Sequence, residues 1–156
     1  MRRLALGAAM VFAVASVGGG IALAANGGGS SAHTAKTATV SLRKAGKLGR
    51  IVVDANGRTL YLFEKDKTTK STCYGACAGA WPPALVKGKP TAGGGALAGK
   101  LGTTKRRDGT RQITYGGHPM YRFTPDNNKP GSTKGQKVDA FGAEWYVVGR
   151  NGNKVE

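Results

Sequence analysis

Two stretches of the chain, "RIVVDANGRTLYLF" and "RQITYGGHPMYRF", each place branched and aromatic residues on both sides of a turn signal. Asn56-Gly57 and Gly116-Gly117 suit tight hairpin turns, whose central residues need positive φ, so each stretch predicts a β-hairpin. Asp108-Gly109 and Asn151-Gly152 mark further turns. Roughly seven or eight short strands follow, with little room for helix. Side chains two apart on a strand share a face, which puts Tyr61 with Phe63 and Tyr121 with Phe123. Leu60 and Leu62 take the opposite face of the first hairpin, predicting burial on both sides. Met120 and Arg122 do so in the second, predicting one wetter face. Aromatics at this spacing read as core, with a binding platform as the alternative.

Shifting the first stretch by 60 residues superposes Val53 on Ile113, Gly57 on Gly117, Leu60 on Met120, Tyr61 on Tyr121, Phe63 on Phe123 and Asp66 on Asp126. The chain thus carries an internal repeat, with copies at about 49–85 and 110–150 that run on toward Trp81 and Trp145. Between them, "VKGKPTAGGGALAGKLG" at 86–102 reads as a mobile surface loop. The predicted fold is mainly β, a small antiparallel barrel or sandwich over 48–156, in which two hairpin-centred repeats pack their aromatic faces together. Neither half could bury its apolar face alone.

Upstream, 26–47 starts with Gly, Ser, Ala and Thr and reads as a flexible linker. Residues 1–25 combine Arg2 and Arg3, an apolar stretch and Ala22-Leu23-Ala24, the pattern of a signal peptide or, if uncut, a signal anchor. The expected address is secreted or at the extracytoplasmic face of a bacterial membrane.

Charge narrows the partners. Lys and Arg number 24 against 8 acids, a formal charge of +16. Such an excess favours anions, and export directs the reading to an anionic cell-wall polymer or lipid headgroups rather than nucleic acid, for which no binding motif is present. Lys100, Lys105, Arg106, Arg107 and Arg111 are the candidate anion-binding residues. The bland alternative is that the charge only maintains solubility.

Cys73 and Cys77 are the only cysteines of this predicted exported chain, and a local disulfide is the expectation. The alternative is a copper-binding or redox pair of thiolates, with His118 and Met120 completing a soft ligand set. His118 also reads as a solvated hairpin residue, where the first copy has Arg58. Asp66 and Asp126 end their strands at chain reversals, where aspartate commonly accepts local backbone hydrogen bonds. No G-x-S-x-G, H-E-x-x-H or phosphate-cradling motif occurs, so no catalytic residue is assigned and the expectation is a nonenzymatic binding or structural module.

Taken together, "TLYLFEKD", "CYGACAGAWPP", "GHPMYRFTPD" and "FGAEWYVV" resemble the blocks of the bacterial secreted repeat family of unknown function, predicted lipoproteins with a Y-x-(F/W/Y)-x-x-D motif. The likeness covers residues 49–150. It implies an exported envelope protein of two short repeats, with Tyr61, Phe63, Asp66, Tyr121, Phe123 and Asp126 as its motif residues. It carries no known activity or cofactor. The chain departs from the lipoprotein members in having no cysteine near Ala22 to Asn26, which argues against a lipid anchor. Oligomeric state leaves no trace in the pattern.

Overall fold

A computed structural model describes residues 39–156; the predicted leader and the linker up to residue 38 lie outside the described residues. Eight strands are formed there: β1 Val40–Lys44, β2 Arg50–Asp54, β3 Tyr61–Phe63, β4 Leu101–Lys105, β5 Arg111–Tyr115, β6 His118–Pro119, β7 Val138–Ala140 and β8 Ala143–Val147. The one α-helix among them, α1 at Ala76–Ala80, is a single short turn. The strands make three antiparallel sheets, β1-β2, β3-β8-β7 and β4-β5-β6. Single bridges at Ile51–Gly149 and Tyr61–Tyr121 link strands β2 and β3 to segments of the second copy, and bridges at Pro83–Tyr121 and Leu85–Gln112 lay the 83–85 segment alongside it. The described strands close no barrel, and the mainly β, two-repeat fold is sandwich-like.

All four predicted turns form, and Gly116-Gly117 shows why glycine sits there. The turn between β5 and β6 needs φ of 60° and 89°. A Cβ on Gly116 would also stand 2.6 Å from the Gly152 backbone, so two chain reversals meet where no side chain fits.

Two boundaries differ from the sequence reading. Val40–Lys44 fell within the stretch read as linker, yet it pairs with β2 from Val40–Asp54 to Lys44–Arg50. Its signal is only two inward residues, Val40 and Leu42, too short to register beside the Gly- and Ser-rich segment before it. The loop at 86–102 is tied down at several points. Thr91 accepts from the Thr39 and Val40 amides, Gly93 donates to Val40, and the Arg50 side chain reaches the Gly94 carbonyl at 2.7 Å. Its last two residues open β4.

Strand alternation divides the interior into two clusters. One contains Leu60, Leu62, Ile113, Met120 and Tyr146 with Val40, Val52 and Val148. The other contains Tyr61, Phe63, Tyr121, Trp81, Trp145 and both cysteines with Ile51, Val53 and Val147. The first hairpin is therefore buried on both faces, as its pattern predicts. In the second, Met120 is fully buried against the expectation of a wetter face, because the Leu60 cluster covers that side too. Arg122 on the same face is half-exposed and binds Asp54.

The aromatic cluster is a column of four rings. Phe63 stacks on Trp145 at 4.0 Å, Trp145 on Trp81 at 3.9 Å, and Trp81 on Phe123 at 4.0 Å. Tyr61 meets the edge of Trp81 at 5.4 Å, and Tyr121 meets Trp145 at 5.1 Å. Each tryptophan thus stacks on the phenylalanine of the other repeat. Tyr61 and Tyr121 also exchange both backbone hydrogen bonds, at 2.8 and 2.9 Å. An approximate twofold relation between the repeats passes through this pair.

Because each tryptophan fills a site built by the opposite copy, Trp81→Ala and Trp145→Ala should destabilise the domain similarly, by about 3–5 kcal/mol each. Urea unfolding measures this. Equal losses support the crossed arrangement, whereas a mild effect at either position contradicts it.

Candidate functional site

The family-motif aspartates explain why the motif ends in an acid. Asp66 is 3% exposed and Asp126 7%, and a carboxylate so buried needs several donors. Asp66 accepts from the Thr72 amide at 2.8 Å and the Thr72 hydroxyl at 2.6 Å. Asp126 accepts from the Ser132 hydroxyl at 2.6 Å and the Lys134 amide at 3.1 Å. These local bonds are the turn role predicted for both residues.

The remaining donor comes from the other repeat. Tyr61 donates its hydroxyl to Asp126 at 2.7 Å, and Tyr121 donates to Asp66 at 2.5 Å. Burial, and then the hydrogen bond to the carboxylate, raises both phenol pKa values far above 10. The motif is therefore a crossed lock, with each tyrosine serving the opposite copy's aspartate. Thr72 and Ser132 were missed as parts of it, although the 60-residue shift places one on the other. Phe123, at the end of the ring column, is the one motif aromatic that stays half-exposed.

Around Tyr121 the lock extends into the cysteine loop. Cys73 and Cys77 form a disulfide with Cα atoms 5.3 Å apart, and α1 supplies the turn that brings them together. Arg106, a candidate anion-binding residue, is instead 4% exposed. Its guanidinium donates to Ser71 at 2.7 Å, to Gln112 at 2.7 Å and to the Cys73 carbonyl at 2.9 Å. Ser71 in turn lies 2.7 Å from the Tyr121 hydroxyl. Arg106 thus fastens the disulfide loop to the second repeat, and its planar fork is already filled. Its neighbour Arg107 stacks over Tyr74, 4.0 Å from the ring centre, and keeps an exposed position.

The copper set is not assembled. The sulfurs are bonded to each other, and Met120 is fully buried in the cluster opposite to theirs. Among the described residues no group of three or more His, Cys, Asp or Glu side chains is placed to hold a metal ion. His118 is half-buried and lines a cleft of about 390 Å³ with Leu62, Glu64, Asp66, Lys67 and Lys154. Burial lowers its pKa from 6.5, opposed by the nearby Asp66 and Glu64 charges.

The same place in the other repeat is filled. Arg58 and Arg122 stand where the shift puts His118 and Leu62. Both donate to Asp54, at 2.8 and 2.9 Å, and Arg58 also reaches Asn128 at 3.0 Å. One copy therefore closes this position with an ion-pair network, and the other leaves it open.

On the β4-β5 face the basic candidates remain available. Lys105 and Arg111 occupy directly opposite positions of the antiparallel pair, an arrangement that like charges destabilise. Both are exposed, as is Lys100. Beside Arg111 lies a cleft of about 690 Å³ between β4 and the 89–92 segment, with Lys89, Leu101 and Thr103 on its walls. Among the described residues no acid pairs with Lys105 or Arg111.

Two measurements probe the lock. A double-mutant cycle on Tyr61→Phe and Asp126→Asn should show coupling of about 1–3 kcal/mol, with much weaker coupling between Tyr61→Phe and Asp66→Asn of the same motif copy. In an alkaline titration followed by tyrosine absorbance, Tyr61 and Tyr121 should stay protonated in the native protein. Their folded pKa values are raised, so their stabilisation is complete below the unfolded value of 10. Stability then falls as pH climbs above 10, and both groups ionise only with unfolding. Ionisation of Tyr61 and Tyr121 near pH 10 in the folded protein would contradict the burial of the lock.

Comparison with known proteins agrees with this geometry. A family described as "secreted repeat of unknown function" matches residues 43–85 and again 102–149, so each match contains one complete hairpin and its tryptophan. No curated protein and no solved structure matches the chain. With two matched copies that together span more than half of its length, the chain belongs to the family of secreted repeats of unknown function.

Proposed function

We propose that the domain is a nonenzymatic extracytoplasmic binding module that holds phosphate-bearing anions of the cell envelope on its β4-β5 face. The family is a secreted one, and no helix among the described residues is long and apolar enough to cross a membrane. The observation that carries the reading is the facing pair Lys105 and Arg111, exposed and without an acidic partner, beside the cleft that Lys89 flanks.

The distribution of acids reinforces it. Asp54, Glu64, Asp108 and Glu156 sit in ion pairs. Asp66 and Asp126 belong to the lock, and Glu144 accepts from Tyr146. Asp139 alone among the eight remains, so the surplus cations have no internal counterions to neutralise them. An external polyanion lowers the repulsion between Lys105 and Arg111 and gains their charge-assisted hydrogen bonds. The shared ligand chemistry is phosphate, presented either by a phosphodiester wall polymer or by lipid headgroups.

The test compares the wild type with Lys105→Gln/Arg111→Gln on a soluble glycerol-phosphate polymer and on anionic phosphatidylglycerol vesicles across a salt series. The double variant should bind about tenfold more weakly at low salt, which is about 1.4 kcal/mol. The difference should shrink as salt screens exposed charges. Binding to the polymer alone assigns the wall, and binding to vesicles alone assigns the lipid. Affinity that ignores both salt and the two substitutions discards the proposal.

A further inference from the structure

The described chain exposes two large apolar side chains, Leu85 at 45% and Phe141 at 42%. Phe141 is the more unusual. It occupies the first position of the two-residue turn between β7 and β8, where Ala140 pairs with Ala143. Its φ is 60° and that of Gly142 is 90°. This turn type favours Asn or Gly at both central positions, because a side chain at positive φ crowds the backbone. A phenylalanine there is strained, and 42% of its surface still faces solvent. The Lys65 amino group donates to its carbonyl at 3.3 Å and steadies the tip. Immediately behind the tip, Asp139 and Glu144 face each other across the two strands.

Leu85 presents the opposite chemistry. With Val86 it forms the apolar part of a cleft of about 320 Å³, whose other walls are Lys87, Thr110 and Arg111. An aromatic finger with two acids behind it matches an apolar slot with two cations at its rim. Coulombic complementarity and the burial of both exposed side chains act in the same direction.

We propose that the Phe141 turn of one molecule inserts into the Leu85 cleft of a second copy of this chain, with Asp139 and Glu144 set against Lys87 and Arg111. The two surfaces differ, so the contact is head-to-tail and each molecule keeps a free finger and a free cleft. One ring in one slot falls well short of the roughly 1,000 Å² expected of a stable interface. The association is accordingly weak in solution and grows when copies are concentrated on a surface, where each further contact is effectively intramolecular.

The experiment uses the whole protein in sedimentation velocity at moderate salt, which screens the long-range repulsion between highly basic copies. The wild type should associate reversibly with rising concentration. Phe141→Asn lacks the finger but keeps the cleft, and Leu85→Glu lacks the cleft but keeps the finger, so each alone should stay monomeric. Their mixture should form one-to-one pairs that do not extend further. Phe141→Asn should also raise Tm by about 2–6 °C, because asparagine tolerates the left-handed turn. At concentrations where the wild type is monomeric, so that no partner covers Arg111, Phe141→Asn should bind the phosphate polymer at the wild-type level, which separates this contact from anion binding. A wild type that remains monomeric, a mixture that does not pair, or a Phe141→Asn variant with lowered Tm overturns the proposal.

Discussion

Two rings and one carboxylate from each copy of a short motif cannot be satisfied within that copy, and the exchange between copies organises the rest of the domain. Phe63 lies on Trp145 and Phe123 on Trp81, while Tyr61 donates to Asp126 and Tyr121 to Asp66. Burying a carboxylate is costly unless its lone pairs are filled, and burying a phenol is costly unless its hydrogen has an acceptor. The crossing answers both costs at once. It also accompanies the Tyr61–Tyr121 backbone bridge between the two copies, beside a sheet, β3-β8-β7, that itself contains strands of both.

Much of this architecture was legible in the residues. The turn dipeptides located the hairpins because positive φ restricts which residues can sit there. The period of two identified the faces of Tyr61 and Phe63, and the 60-residue shift revealed the duplication. The pairing across copies was not legible, since a motif read along one chain segment suggests partners within that segment. β1 was missed because two inward residues make too short a period. Arg106 was misjudged because composition counts its charge identically whether the guanidinium faces water or the Cys73 carbonyl; only tertiary packing against Gln112 and Ser71 distinguishes the two.

The copies have also diverged around this shared centre. Around Asp54 the arginines close the surface with direct bonds, whereas around His118 the same place is an open cleft with a half-buried imidazole. The disulfide loop and Arg106 support one tyrosine of the lock, while the other rests against the Gly135 backbone, whose Cβ would come within 3 Å of the Tyr61 ring. Shared geometry at the centre is thus compatible with unlike chemistry at the rim. The surfaces proposed above, at β4-β5 and at the β7-β8 turn, both lie in the second copy, at positions whose side chains the first copy does not share.

The crossed lock spans 65 residues in one direction and 55 in the other, with consequences for when the fold can exist at all. As the chain emerges from a ribosome or a translocation pore, the first hairpin has no acceptor for Tyr61 until Asp126 is outside, and no cover for Phe63 until Trp145 follows. Contacts so distant in sequence cannot form early. Local hairpins such as β1-β2 can close earlier, but the crossed centre is completed only when the last strand is released.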